Sequence, residues 1–243
     1  MYEYPYHYIP IWDGDNFSQT RTLLWGYEYL SYLYFVLDKV CQIGFESLLD
    51  VGCGDGRFLF ELSRKLPNKK LVGIDYSKRA IDYARIMNPR VEWVCGDIRD
   101  KNIFEVDFDI ITLIETLEHI KPDEIKPFLE GVHNYLKEGS NLIVTVPSNN
   151  IEVKERHYQH FDLHSLTAAL SPFFTVVDAS YLNRKSSLSL KLIQKFLSNR
   201  FFILNNRRML KWIYNYYIER LLFTDKKNCC RIAVVCKKNT IES

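Results

Sequence analysis

From about residue 27 onward the chain alternates between short apolar runs and longer amphipathic stretches. Runs bounded by Gly, Pro, Asn or Asp read as buried strands, and stretches with apolar positions three and four apart read as helices. Strands are expected at Ser47–Val51, Lys70–Asp75, Val91–Cys95, Phe108–Glu115, Asn141–Pro147, Phe173–Tyr181 and Cys230–Lys237. Helices are expected at Arg57–Leu66, Ser77–Met87, a short piece at Arg99–Phe104, Pro122–Leu136 and Leu163–Leu170. The fourth of these is opened by Pro122 and closed by Gly139, and the last ends before Pro172. This alternation predicts an α/β fold in which parallel strands are joined by crossover helices.

Composition supports one large domain. A chain of 243 residues that is 47% hydrophobic can bury a full core. The most apolar stretch, Tyr27–Val40, is interrupted by Glu28 and Asp38, so no window offers the roughly 18 uncharged residues of a membrane span. Residues 1–12 are acidic and tyrosine-rich, unlike a secretory leader, and the expected location is the cytoplasm. The cysteines at 41, 53, 95, 229, 230 and 236 have no metal-site spacing and are expected to be free thiols.

Charge is unevenly distributed. Residues 1–180 hold 18 Lys and Arg against 27 Asp and Glu, whereas residues 181–222 hold nine against one. The organisation predicted is an aromatic N-terminal segment and helix at 1–44, a core at 45–182, a basic helical insertion at 183–228, and a last strand and tail at 229–243. Clustered cations beside aromatics suit a phosphate-bearing substrate, a membrane surface, RNA or a dimer interface. A solvated amphipathic cover is the plainer alternative.

The chemistry begins at Asp50-Val51-Gly52-Cys53-Gly54-Asp55-Gly56, where the first strand turns into a helix. Glycines let the backbone approach a ligand. A dinucleotide fingerprint starting at Gly52 would need glycine at 57, where this chain has Arg57, so the pattern is G-x-G-x-G. Without a pyrophosphate to hold, the helix start can face a zwitterionic amino-acid group, with Asp50 against its ammonium. Asp75, followed by Tyr76, ends the second strand and suits two ribose hydroxyls. Asp97, followed by Ile98, suits an adenine: a carboxylate for the exocyclic amine and an apolar neighbour for the ring.

The glycine loop, Gly73-Ile74-Asp75, Gly96-Asp97-Ile98 and Glu115-Thr116-Leu117-Glu118-His119-Ile120 resemble the successive motifs of class I S-adenosylmethionine-dependent methyltransferases. The resemblance covers roughly residues 45–182 and the final strand. It implies a Rossmann-like three-layer sandwich around a seven-stranded, mostly parallel sheet whose last strand is antiparallel, here with a helical insertion before that strand. It also implies S-adenosylmethionine as methyl donor, bound by Asp50, Gly52, Cys53, Gly54, Gly56, Asp75, Tyr76, Asp97, Ile98 and Glu115.

Two readings of the residues after the fourth and fifth strands remain open. His119, with Glu115, resembles the base position of small-molecule and sugar methyltransferases, where a neutral imidazole takes a proton from a hydroxyl or amine and no metal is needed. The basic insertion agrees with a nucleotide-linked or lipid-linked sugar of surface-glycan synthesis. Alternatively, Glu115, Glu118, His119 and His160 resemble the metal ligands of small-RNA 2′-O-methyltransferases, although Arg156-His157-Tyr158-Gln159-His160-Phe161 lacks that family's Phe-Glu-Trp-Thr continuation. The small-molecule reading is favoured over nucleic acid. A binding module without catalysis is the third possibility. The N-terminal Tyr2, Tyr4, Tyr6 and Tyr8 fit one face of an extended lid, with Trp25 and Tyr27 as aromatics for the site.

Overall fold

A computed structural model describes residues 10–13, 16–19, 23–197, 204 and 206–240. A hairpin of β1 (Pro10–Asp13) and β2 (Asn16–Gln19) precedes α1 (Leu23–Ile43). There follow β3 (Ser47–Val51), α2 (Arg57–Lys65), β4 (Lys70–Asp75), α3 (Lys78–Met87), β5 (Glu92–Cys95) and β6 (Phe108–Ile114). The chain continues through α4 (Ile125–Asn134), β7 (Leu136–Pro147), α5 (Leu163–Leu170), β8 (Phe174–Arg184), α6 (Leu188–Leu197), α7 (Arg207–Arg220) and β9 (Cys229–Lys238).

The main sheet has seven strands in the order β5-β4-β3-β6-β7-β9-β8, and β9 runs antiparallel to both its neighbours. All five residues of β3 are buried, which explains its unbroken apolar character: helices cover both faces of a parallel sheet. One core joins Leu49, Val72, Ile111, Leu129 and Val144, and the other joins Leu48, Leu59, Ile81 and Ile110 to Val36 and Val40 of α1. β3 pairs with β4 on one side and β6 on the other, so the chain order reverses at its carboxyl end. Such a switch point opens a crevice above the strand ends, where α/β sheets bind ligands.

Three local expectations are corrected. Arg99–Phe104 is a series of turns, not a helix. Tyr135 pins it, its hydroxyl donating to the Asp100 carbonyl and accepting from the Ile103 amide. The Pro122–Leu136 helix is a 3-10 turn (Pro122–Glu124) followed by α4, and it stops before Leu136 because Leu136 pairs with Phe108 as the first residue of β7. Gly139, at φ +70°, lies inside β7 instead of closing a helix. The strand expected at Phe173–Tyr181 extends to Arg184, so residue 183 lies inside β8 and the helical part of the insertion begins at Leu188.

The insertion packs on the N-terminal half of α1. Leu24 and Tyr27 form a small separate core with Leu190, Ile213, Tyr217 and Leu221, and the Tyr27 hydroxyl donates to the Leu210 carbonyl. Tyr27 therefore serves packing, and Trp25 stacks on Tyr29 with 5.1 Å between ring centroids. Neither lines the main cleft, contrary to expectation. The Tyr2, Tyr4, Tyr6 and Tyr8 series lies outside the described residues. All six cysteines are free thiols, and no helix among the described residues is long and apolar enough to cross a membrane.

Candidate active site

The loop after β3 is built by backbone conformation. Gly52, Gly54 and Gly56 all have positive φ, at +74°, +56° and +79°. Side chains are disfavoured there for a second reason at two of the positions: a Cβ on Gly52 would lie 2.6 Å from Thr116, and one on Gly56 would lie 2.3 Å from the Trp93 ring. The amides of Gly52 and Cys53 both donate to the Ile74 carbonyl, and that of Gly54 donates to Asp75 Oδ2 at 3.0 Å. Asp75 Oδ1 accepts from the Ser77 amide at 2.8 Å. The alternating glycines thus fold the loop over the end of β4, and Asp75 joins the two.

A cleft of about 450 Å³ opens above this junction. Its apolar side is Ile74, Ile98 and Phe128, with Tyr76 at the rim; Asp75 and Asp97 stand beside them. At the other end stand Glu115, Thr116, His119 and Tyr158. Val51 and Gly52 line the cleft as well, whereas Asp50, Cys53, Gly54 and Gly56 are not among its lining residues. Asp50 is 3% exposed and accepts from Thr112 Oγ1 at 2.6 Å. Burial pushes its carboxyl up to about 7; the Thr112 hydrogen bond opposes the shift and the charge of Asp75 adds to it. The buried Cys53 thiol is also pushed up, by burial and by the three nearby acids Asp50, Asp75 and Asp55. Asp97 is different: Arg99 chelates it at 2.6–3.0 Å and holds it below the usual carboxylate range. Arg99 also reaches Glu124.

Seven-stranded order, the antiparallel last strand, the glycine loop at the switch point and acids at the ends of β4 and β5 converge on one fold. Residues 48–139 match the methyltransferase domain family. The fold is that of class I methyltransferases. Among solved structures of similar fold, the N-methyltransferase NodS from Bradyrhizobium japonicum, in complex with S-adenosyl-L-homocysteine, superposes with a TM-score of 0.58 at 14% identity, over 90% of this chain and 89% of that one. The methyltransferase domain of bacterial CtHen1-C gives 0.60 at 13%, over 87% and 99%. In sequence, an uncharacterized methyltransferase of Mycobacterium tuberculosis is 31% identical over 109 residues, 45% of this chain and 54% of the relative. The mitochondrial ubiquinone biosynthesis O-methyltransferase of Schizosaccharomyces pombe is 23% identical over 165 residues, 60% and 58%. The chain spans about half the length of the first curated relatives it matches.

The end of the cleft lined by Glu115 and His119 is shaped by contacts between residues far apart in sequence. Glu115 adopts φ +53°, a left-handed conformation that costs a non-glycine residue about 1–3 kcal/mol. It is held there from two sides. Its amide donates to the Thr145 carbonyl at 3.0 Å, its Oε1 accepts from Thr145 Oγ1 at 3.2 Å, and its Oε2 accepts from Arg231 Nε at 3.0 Å. Arg231 lies 4.2 Å from the Tyr32 ring centroid. Burial works against its charge, and Glu115, Tyr32 and Glu28 more than offset that, so its pKa is raised. The sequence signal was the single cation within the apolar strand Cys229-Cys230-Arg231-Ile232-Ala233-Val234.

His119 packs edge-on against His157, and the donor nitrogens of His119 and His160 follow from carbonyl partners. His119 Nδ1 lies 2.9 Å from the Arg156 carbonyl, which can only accept, so Nδ1 is the donor and, in the neutral ring, Nε2 carries the lone pair. His160 Nδ1 donates likewise to the Ile151 carbonyl, and its Nε2 accepts from His157 Nδ1 at 2.8 Å. The free nitrogen of His157 is therefore also a lone pair. Burial first, then the neighbouring imidazoles, lower the His157 pKa to about 4. Glu118 is 1% exposed and its Oε2 has no partner; burial, with the charge of Glu115, pushes its carboxyl well up. Ligand atoms of Glu118, His119 and His157 lie within 4.8 Å of one another. This trio differs from the alternative set of Glu115, Glu118, His119 and His160: Glu115 is engaged by Arg231, and His160 is hydrogen-bonded to His157.

Proposed function

We propose that this chain is an S-adenosylmethionine-dependent methyltransferase that acts on a hydroxyl or amine of a small molecule, with sugars and glycan precursors as the acceptor class to test first. The observation that carries the reading is the pairing, in one cleft, of an apolar slot flanked by carboxylates with a histidine whose lone pair faces away from its fixed backbone partner. The donor fits the chain's own groups. Ile74, Ile98 and Phe128 offer apolar contact to an adenine, and Asp97, kept ionised by Arg99, is a pure acceptor for its exocyclic amine. Asp75 has lone pairs left after its two backbone bonds and can accept from ribose hydroxyls.

When bound, S-adenosylmethionine supplies an electrophilic methyl on a sulfonium. The protein orients the acceptor, excludes water and removes a proton, and most of the rate enhancement comes from positioning. His119 Nε2 takes the proton of the acceptor hydroxyl or amine as the new bond forms, and the Arg156 carbonyl then holds the resulting imidazolium through Nδ1. Glu115, held by Arg231 and Thr145, keeps a polar wall of the cleft in fixed orientation and would help to orient the donor. The test is methyl transfer from radiolabelled donor to a panel of nucleotide sugars, glycans and small amines by the wild type and His119→Ala. Donor binding without transfer to any fraction of a cell extract would leave a binding module in place of an enzyme.

A second reading rests on Glu118, His119 and His157. Two imidazoles and an unpartnered buried carboxylate oxygen suit a divalent cation. Held there, a cation would supply Lewis-acid orientation of vicinal hydroxyls, as at an RNA 3′ end. Activity on RNA abolished by chelator and restored by a divalent metal would select this reading; chelator-insensitive transfer would select the first.

A further inference from the structure

The helices between β8 and β9 turn one side to the protein and the other to solvent. Leu190, Ile213 and Tyr217 form the inner side with α1. On the outer side of α6, Leu188 and Leu192 lie one turn apart and are 77% and 60% exposed, and Lys191 and Lys195 run beside them. On α7, Trp212 is 69% exposed, with Arg208 one turn before it on the same side and the exposed Lys211 next to it in the chain. Among the described residues, Lys191, Lys195, Arg207, Arg208 and Lys211 form no ion pair, and the two helices together contain one acid, Glu219.

An exposed Leu or Trp is unremarkable alone. Here the most exposed apolar side chains among the described residues of the insertion share helix faces with unpaired cations, which constrains what can cover them. A nucleic acid or a free phosphate would satisfy the cations but leave Leu188 and Leu192 in water. A protein groove could cover the leucines but would also have to supply several carboxylates. An anionic bilayer does both: headgroup phosphates meet Lys and Arg, the acyl boundary takes up the leucines, and an indole favours the interface between them. The remaining charge orients the molecule. Residues 1–180 carry a net −9 against +8 for residues 181–222, so an anionic surface attracts the insertion and repels the body.

We propose that the outer faces of α6 and α7 seat this protein on an anionic lipid surface. The inference does not depend on the methyl-transfer reading. The experiment is sedimentation of the full chain with vesicles of equal parts phosphatidylcholine and phosphatidylglycerol, and with phosphatidylcholine vesicles. Tryptophan emission is followed in parallel. Binding is expected to the anionic vesicles alone, with a blue shift that Trp212→Phe abolishes. Each cation at the surface contributes about a fivefold factor. Arg208→Glu/Lys211→Glu should therefore weaken partitioning on the order of 100-fold, and Leu188→Ser/Leu192→Ser should weaken it on the order of tenfold or more. All four side chains are exposed, so circular dichroism and melting temperature should stay at wild-type values. No sedimentation with anionic vesicles would overturn the proposal. So would binding that survives the leucine changes, or retention on a single-stranded RNA oligonucleotide without any vesicle binding.

Discussion

Glu115 follows β6 and Arg231 lies in β9, far apart in sequence, and breaking their contact tests how this end of the cleft is held. Their side chains keep only 19% and 14% exposure, and the contact is a single 3.0 Å bond from Nε. Removing one partner of a well-buried pair costs about 3–5 kcal/mol, because the other charge is left in a poorly solvating site. The residual exposure here lowers that to about 2–4 kcal/mol for Arg231→Met, and to about 1–3 kcal/mol for Glu115→Gln, which keeps an acceptor for Arg231. The double variant leaves no orphan charge and should be nearly as stable as the better single one, giving a coupling of about 1.5–3 kcal/mol. Urea unfolding of the four proteins measures these values. In the same samples, Arg231→Met should weaken donor binding at least about tenfold, since Glu115 at φ +53° then keeps only its Thr145 contacts. Additive single costs, with coupling below about 0.5 kcal/mol, would refute the argument that this pair locks the cleft wall.

Three further outcomes follow from particular contacts. Gly131→Ala would ordinarily strengthen a helix by about 1 kcal/mol. In α4 its Cβ would meet the Ile98 carbonyl at 2.6 Å, so thermal unfolding should instead show a loss of about 1–3 kcal/mol. Asp50 binds its proton more tightly folded, at about 7, than unfolded, so it adds stability at low pH and takes it away as pH rises from about 4 to about 7. Asp50→Asn should therefore gain stability relative to wild type on going from about pH 5 to about pH 8, on the order of 2 kcal/mol by chemical denaturation, and a pH-independent difference would contradict the burial argument. His119→Ala should lower kcat about 100- to 10,000-fold while leaving the donor Kd within about tenfold, and an unchanged kcat would remove His119 from the proton-transfer role.

Much of the sheet was legible along the chain, for a physical reason. Strands covered on both faces are continuous apolar runs, and β3, β4 and β6 read that way. The glycine loop was legible because three alternating positive-φ positions leave glycine as the residue of choice. Legibility failed where a distant partner decides. Residues 99–104 form turns fixed locally by Asp100, whose carboxylate accepts from the Asn102 amide, and at a distance by Tyr135, which ties two of their backbone groups. Leu136 continues an apolar helical period, and its pairing with Phe108 makes it strand. Asp50, an apparent ligand group beside the glycines, does not line the cleft and accepts from Thr112. In the histidine cluster the spacing identified Glu118 and His119, whereas the choice of His157 over His160 depends on the Ile151 carbonyl, which no spacing reveals.

The central claim is a methyl-donor site at the carboxyl ends of β3, β4 and β5. Isothermal titration of the purified chain with S-adenosylmethionine, S-adenosylhomocysteine and NAD tests it most directly. One-to-one binding of the first two, with no heat from NAD and with affinity lost on order of 100-fold in Asp75→Ala, is the predicted result. Binding of NAD, or S-adenosylmethionine affinity indifferent to Asp75, would contradict it.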